Sequence, residues 1–71
     1  MDLDSMPIES LRLLLEQELR QAEGLLEHFG FCPQFVGQLE NVLNIYDALS
    51  KRDKKTSLTF APRIKILKNQ I

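Results

Sequence analysis

The stretch Phe29-Gly30-Phe31-Cys32-Pro33 separates two long segments of helical apolar periodicity. Glycine readily takes the positive φ that ends a helix, and proline fits the first turn of the next helix. One helix should therefore end at this stretch, and a second should begin after it. Because the connection is short, the two helices are expected to pack side by side and antiparallel. The predicted fold class is all-α, built on an antiparallel two-helix hairpin.

The first helix is predicted over about residues 6–29. Asp4 or Ser5 would cap it, and Pro7 would lie in the first turn, where its missing N–H removes no hydrogen bond. At about 100° per residue the apolar side chains fall within an arc of about 140°. They are Ile8, Leu11, Leu14, Leu15, Leu19, Ala22, Leu25, Leu26 and Phe29.

The second helix is predicted over about residues 33–52, beginning at Pro33. Its apolar residues span about 180°, and some of them repeat with the 4-3 spacing typical of a coiled-coil seam. Faces this wide leave apolar surface on both helices after they meet, and monomers rarely expose large apolar patches. A second copy or a helical partner should cover it, most simply in a dimeric four-helix bundle. The predicted oligomer or partner interface is Leu14, Leu25, Val36, Leu39, Leu43 and Ile45.

The small size of the chain supports the same expectation. A chain of 71 residues has a marginal core, and such chains often need a disulfide, a metal or association. The lone Cys32 cannot form an internal disulfide, and one cysteine with one histidine, His28, cannot supply four zinc ligands. Association remains, and no cofactor is expected.

Charge is distributed unevenly along the sequence. Residues 1–50 carry nine acidic and two basic residues, whereas residues 51–71 carry seven basic residues and one acidic residue. We therefore divide the chain into a helical hairpin, residues 1–55, and a basic-apolar tail, residues 56–71. The near alternation of apolar and polar residues in the tail favours an extended segment, which Pro62 would restrict to an edge. The spacing of Phe60, Ile64, Leu67 and Ile71 supports the alternative, a short helix.

Three roles remain open for the tail. It could contact the acidic part of its own or a neighbouring chain or a protein partner, it could bind the phosphates of a nucleic acid, or it could be solvated. The residues predicted to bind a partner in this region are Lys51, Arg52, Lys54, Lys55, Leu58, Phe60, Arg63, Ile64, Lys65 and Ile66.

Catalytic motifs are absent from the sequence: it has no glycine-rich phosphate loop, no paired Cys-x-x-Cys and no His-Glu-x-x-His. The expected function is a non-enzymatic protein–protein interaction module, such as an adaptor, scaffold or regulatory subunit. The alternative is a nucleic-acid-binding regulator that uses the basic tail. No small-molecule substrate and no membrane partner are expected. The single cysteine and the acidic N-terminus favour a cytoplasmic or nuclear location.

Overall fold

The structure, a computed structural model, describes residues 3–70. Within that range it contains helices and no strand. A 3-10 turn, Leu3–Ser5, precedes four helices, which we number in chain order. They are α1 (Ile8–Phe29), α2 (Pro33–Arg52), α3 (Lys54–Ser57) and α4 (Ala61–Lys68).

The predicted hairpin is confirmed in its two long packed helices. At the turn, Gly30 has φ 71° and ψ −159°, a region of backbone space essentially restricted to glycine. Its N–H donates to the carbonyl oxygen of Leu26 at 2.9 Å, which ends α1. Pro33 is the first residue of α2, as expected.

The start of α1 differs from the prediction. Its N-cap is Pro7, so neither Asp4 nor Ser5 occupies the N-cap position. The reason is local, because Leu3–Ser5 already forms its own 3-10 turn. The backbone of Pro7 is extended, and its carbonyl oxygen accepts the first helical hydrogen bond from the N–H of Leu11 at 2.9 Å.

The tail is helical, so the alternative holds and the favoured extended segment does not. Phe60, Ile64 and Leu67, spaced by four and three residues, are all buried. An extended segment would place Ile64 and Ile66 on the same side, but Ile66 is 60% exposed. Helical spacing is favoured because it turns three apolar side chains toward the hairpin at once. Ile71 lies outside the described residues.

The chain turns back on itself at Asp53. The backbone N–H of Asp53 donates to the carbonyl oxygen of Leu49 at 2.7 Å and ends α2. Its carboxylate accepts hydrogen bonds from the backbone N–H of Thr56 at 3.2 Å and from the Thr56 hydroxyl at 2.6 Å, which begins α3. The hydroxyl of buried Ser57 donates to the carbonyl oxygen of Lys54 at 2.7 Å. These bonds redirect the chain so that α4 returns to the hairpin.

Helix α4 packs against both α1 and α2. Its apolar residues belong to the same core as those of the hairpin, although the predicted division at residue 55 falls within α3. One side of the wide apolar hairpin is therefore covered by the chain itself rather than by a second chain. The buried apolar residues are Leu11, Leu15, Leu19, Ala22, Phe35, Leu39, Val42, Ile45, Ala48, Leu49, Phe60, Ile64 and Leu67.

Candidate interaction surface

The side of the hairpin opposite α4, which we call the back face, is not covered by α4. Glu16 and Glu23, the α1 residues that bind α4, lie roughly 180° around that helix from Leu14 and Leu25, at about 100° per residue. By the same count, the back face includes four residues of α1 that lie within an arc of about 60° on that helix, and four residues of α2 that lie within a similar arc on theirs. They are Leu14, Glu18, Leu25 and Phe29 on α1, and Gln34, Gln38, Asn41 and Ile45 on α2.

Two depressions lie at the two ends of the back face. The first, of about 230 Å³, lies next to the turn and is lined by Leu25, Phe29, Cys32 and Gln34. The second, of about 360 Å³, lies toward the N-terminus. We call the surface that holds both depressions, along the length of the hairpin, the groove. The second depression is lined by Leu3, Leu14, Glu18, Asn41, Asn44 and Ile45.

A hydrogen bond between the helices crosses the groove between the two depressions. The Nε2 of Gln38 donates to the carbonyl oxygen of Glu18 at 3.0 Å and to its Oε2 at 2.6 Å. The donated bond partly compensates the charge of the Glu18 carboxylate, which lies in a half-buried position. Gln38 is therefore the partner of the Glu18 carboxylate within the chain.

The N-terminal turn forms the outer wall of the second depression. The Nη1 of Arg52 donates to the carbonyl oxygens of Leu3 and Met6, which holds the turn against the end of α2. Leu3 consequently stands beside Ile45 at the rim. This places Arg52, predicted to bind a partner, in a contact within its own chain.

The back face is nearly free of uncompensated charge. Two charged residues fall on its arcs, Glu18 and Arg52, and both are hydrogen bonded within the chain. The remaining polar residues of the groove are amides, in a chain in which 27% of residues are charged. Apolar centres and depletion of charge distinguish the cores of protein interfaces from ordinary surface. The amides are Gln34, Gln38, Asn41 and Asn44.

Phe29 is the most exposed large apolar residue of the described chain, at 72%. It lies at the turn end of the groove, where its ring centroid is 6.4 Å from that of His28. Phe31 is 57% exposed, but its ring is 6.1 Å from that of buried Phe35. Exposed aromatic side chains are common anchors of protein interfaces. Sequence analysis assigned Phe29 to the apolar stripe and did not predict its exposure.

The residues predicted to form the interface are divided by the structure. Leu14 and Leu25 are half-buried on the back face, and Ile45 lies beside Leu14 with 6% of its surface exposed. Leu39 is 1% exposed, so it is buried within its own chain and has almost no surface that a second chain could contact. Leu39 belongs to the core that α1, α2 and α4 share, which accounts for its burial.

Val36 and Leu43 lie on the other side of α2. Both are half-buried, and by helical spacing they fall about 180° from Asn41 and Ile45. The sequence could not separate these positions from Leu14 and Leu25, because both sides of the hairpin are apolar. The uncharged amides along one side were the signal that could have distinguished them.

The apolar residues of the tail are divided in the same way. Phe60 and Ile64 are in the core, which removes them from any partner surface. Leu58 and Ile66 remain exposed, at 55% and 60%. The helical period explains the division, since residues that alternate along an extended chain fall on different faces of a helix.

The basic residues of the tail region are partly used within the chain. Arg63 donates to Glu16 and Glu23 of α1, and the hydrogen bond to Glu23 is the main cause that raises its pKa. The Nζ of Lys51 is 3.2 Å from a carboxylate oxygen of Asp47. The predicted contact between tail and acidic body is thus present within one chain. The exposed lysines beyond α2 are Lys54, Lys55, Lys65 and Lys68.

Searches for other kinds of site add little. Among residues 3–70, no group of three or more His, Cys, Asp or Glu side chains is arranged to hold a metal ion. No helix in the described part of the chain is both long and apolar enough to cross a membrane. Comparison with known proteins finds no matching protein family, no matching curated protein and no matching solved structure.

Proposed function

We propose that this chain is a protein–protein interaction module that acts by self-association through its back face. Two α1–α2 hairpins would pack groove against groove as a four-helix bundle, with α4 of each copy on the outside. The observation that supports this most directly is an apolar groove with a neutral rim on an otherwise charged chain. The two depressions give the groove a shape that a flat solvated surface lacks.

Charge favours a second copy as the occupant. In a two-fold dimer the same surface meets itself, so any net charge on it would be repelled. Residues 1–50, which contain α1 and nearly all of α2, have seven more acidic than basic residues, and most of their surface would resist self-contact. The back face does not, because its one acid, Glu18, and its one base, Arg52, cancel in net charge and the other polar groups are amides. Amides both donate and accept, so they can pair with their own symmetry mates.

A module of this kind serves as a small adaptor, scaffold or regulatory subunit, since it presents a surface twice without chemistry of its own. Its outer surface in the dimer would carry α4 and the exposed lysines. That arrangement leaves the tail residues Leu58 and Ile66 accessible on each copy.

Sedimentation equilibrium of the purified chain from micromolar to millimolar concentration tests the proposal. We expect the mass to rise from that of one chain to that of two. Asn41→Glu adds a carboxylate to an exposed position that lines the second depression of the back face, and it should keep the chain monomeric. Leu13→Glu is the matched control, because Leu13 is 54% exposed and lies outside the back face.

Three results would count against the proposal. A wild-type chain that stays monomeric over the whole range removes self-association. Equal dissociation by both variants would assign the effect to added negative charge rather than to the back face. A dimer unaffected by Asn41→Glu would place the interface elsewhere. At concentrations low enough for the wild type to be monomeric, thermal melts of both variants should match it, since both side chains are exposed.

A further inference from the structure

We infer that the two copies pack antiparallel, each inserting Phe29 into the depression formed by Leu3, Leu14 and Ile45 of the other. This inference rests on the proposed self-association and adds its orientation and its anchor residue. It begins from two features at opposite ends of the same face, an exposed aromatic ring and an open apolar depression of about 360 Å³.

Phe29 cannot fill that depression in its own chain. It follows Leu14 by fifteen positions in one continuous helix, which separates them by about 22 Å at about 1.5 Å per residue. The ring is left 72% exposed, and the depression near Leu14 is left open. The ring lacks a pocket and the depression lacks an apolar side chain to fill it, so a second copy can provide both.

A two-fold axis perpendicular to the helices brings the Phe29 of each copy to the second depression of the other copy in a single arrangement. Midway between Phe29 and Leu14 on α1 is the level of Gln21, within about one helical turn of the Glu18–Gln38 hydrogen bond. Rotation about an axis at this level carries each Phe29 toward the other copy's depression. Isologous contacts of this kind form twice at once, which doubles their effect.

The head-to-head arrangement uses these features poorly. With the two-fold axis parallel to the helices, the turns of both copies lie at the same end. Phe29 would then face the turn end of its partner, and both depressions near Leu14 would stay open. Buried aromatic anchors that fill pockets dominate interface energetics, so the antiparallel arrangement is favoured.

Cys32 offers a direct measurement, because it is the one cysteine of the sequence and lies beside Phe29 at the turn. In the antiparallel dimer each Cys32, beside Phe29, is about seven to eight residue rises from the axis, so the two are separated by roughly 20–25 Å at about 1.5 Å per residue. In the head-to-head dimer they lie within about 15 Å, given interhelical distances of about 10 Å.

The experiment is pulsed electron paramagnetic resonance on the full chain carrying a nitroxide at Cys32. A distance distribution centred at roughly 20–25 Å supports the inference. A short distance, or a disulfide between copies on oxidation, means a head-to-head dimer, which overturns the inference and leaves self-association standing. If sedimentation shows a monomer before and after labelling, the proposed function itself fails.

A pair of phenylalanine variants tests the anchor. Phe29→Ala should weaken dimerisation about 30-fold or more, as expected for an aromatic anchor that fills a pocket. Phe31→Ala should change it by less than about threefold, because peripheral contacts contribute little. Equal effects of the two variants would contradict the assignment of Phe29. Circular dichroism melts of both variants check that any difference comes from association rather than from folding.

Discussion

The guanidinium of Arg63 on α4 pairs side by side with the carboxylate of Glu23 on α1. Nη2 donates to Oε1 at 2.7 Å and Nε donates to Oε2 at 3.3 Å, across forty positions of sequence. The third bond, from Nη1 to Oε2 of Glu16, is 2.6 Å long. Arg20 extends the network, with its Nη2 3.5 Å from Oε1 of Glu16. Two-point pairing of this kind fixes direction as well as distance, and here it orients α4 on the hairpin.

A double-mutant cycle should detect this pair. Arg63→Met, Glu23→Gln and the double variant are expected to give a coupling free energy of about 1 kcal/mol, at the upper end for partly exposed ion pairs. Chemical denaturation measures it, and the coupling should fall as salt is added. The control cycle uses Lys65→Met with Glu23→Gln, since Lys65 is an exposed base on the same helix. Equal coupling in the two cycles would mean that the pair has no specific role.

Two isoleucines on α4 test the packing of the tail. Ile64 is 3% exposed and Ile66 is 60% exposed. Ile64→Ala should lower the free energy of unfolding by about 2–4 kcal/mol, because it removes buried methyl groups and leaves a cavity. Ile66→Ala should change it by no more than about 0.5 kcal/mol, as is usual for exposed positions. Equal losses would argue for the extended tail, in which both residues share a side.

Glycine at the turn and glycine within a helix should respond oppositely to substitution by alanine. An added Cβ meets nothing within 4 Å at Gly30 or at Gly37, so crowding does not enter the comparison. Gly30→Ala should destabilise the fold by about 1–3 kcal/mol, because φ 71° with ψ −159° is strained for an L side chain. Gly37→Ala should stabilise it by up to about 1 kcal/mol, through helix propensity. Denaturant midpoints compare the two, and stabilisation by Gly30→Ala would refute the turn geometry.

Asp53 predicts a dependence of stability on pH. The hydrogen bonds from Thr56 hold the pKa of its carboxyl below the ordinary value of 3.8. A lowered pKa means that the contribution is present above about pH 3.8, where the unfolded group is ionised, and is lost as pH falls through the folded value.

The comparison is wild type against Asp53→Asn, melted over a pH series. The wild type should melt at the higher temperature near neutral pH, and the difference should shrink as pH falls below the ordinary pKa of the carboxyl. All other acidic groups are common to both proteins, so the difference reports Asp53 alone. A difference in melting temperature that does not change with pH would show that the ionised carboxylate of Asp53 does not stabilise the fold.

The hairpin was predictable because its signals are local. Gly30 can adopt a backbone that other residues avoid, Pro33 can begin a helix, and the periodicity of the segments on either side is long and regular. The observed bounds of α2 match the predicted ones. These features depend on backbone sterics and on neighbours three or four residues away, which the sequence states directly.

The sequence by itself determined that this chain makes two long helices and joins them at one turn, since residue spacing and backbone freedom act over a few positions. Only the tertiary structure decided the conformation of the tail. The spacing of Phe60, Ile64 and Ile66 is compatible with a strand or with a helix, and packing against the hairpin selects the helix. It also decided which apolar side is closed. Arg63 meets Glu16 and Glu23 through contacts forty or more positions apart, and those contacts leave the back face, with Leu14 and Leu25, open.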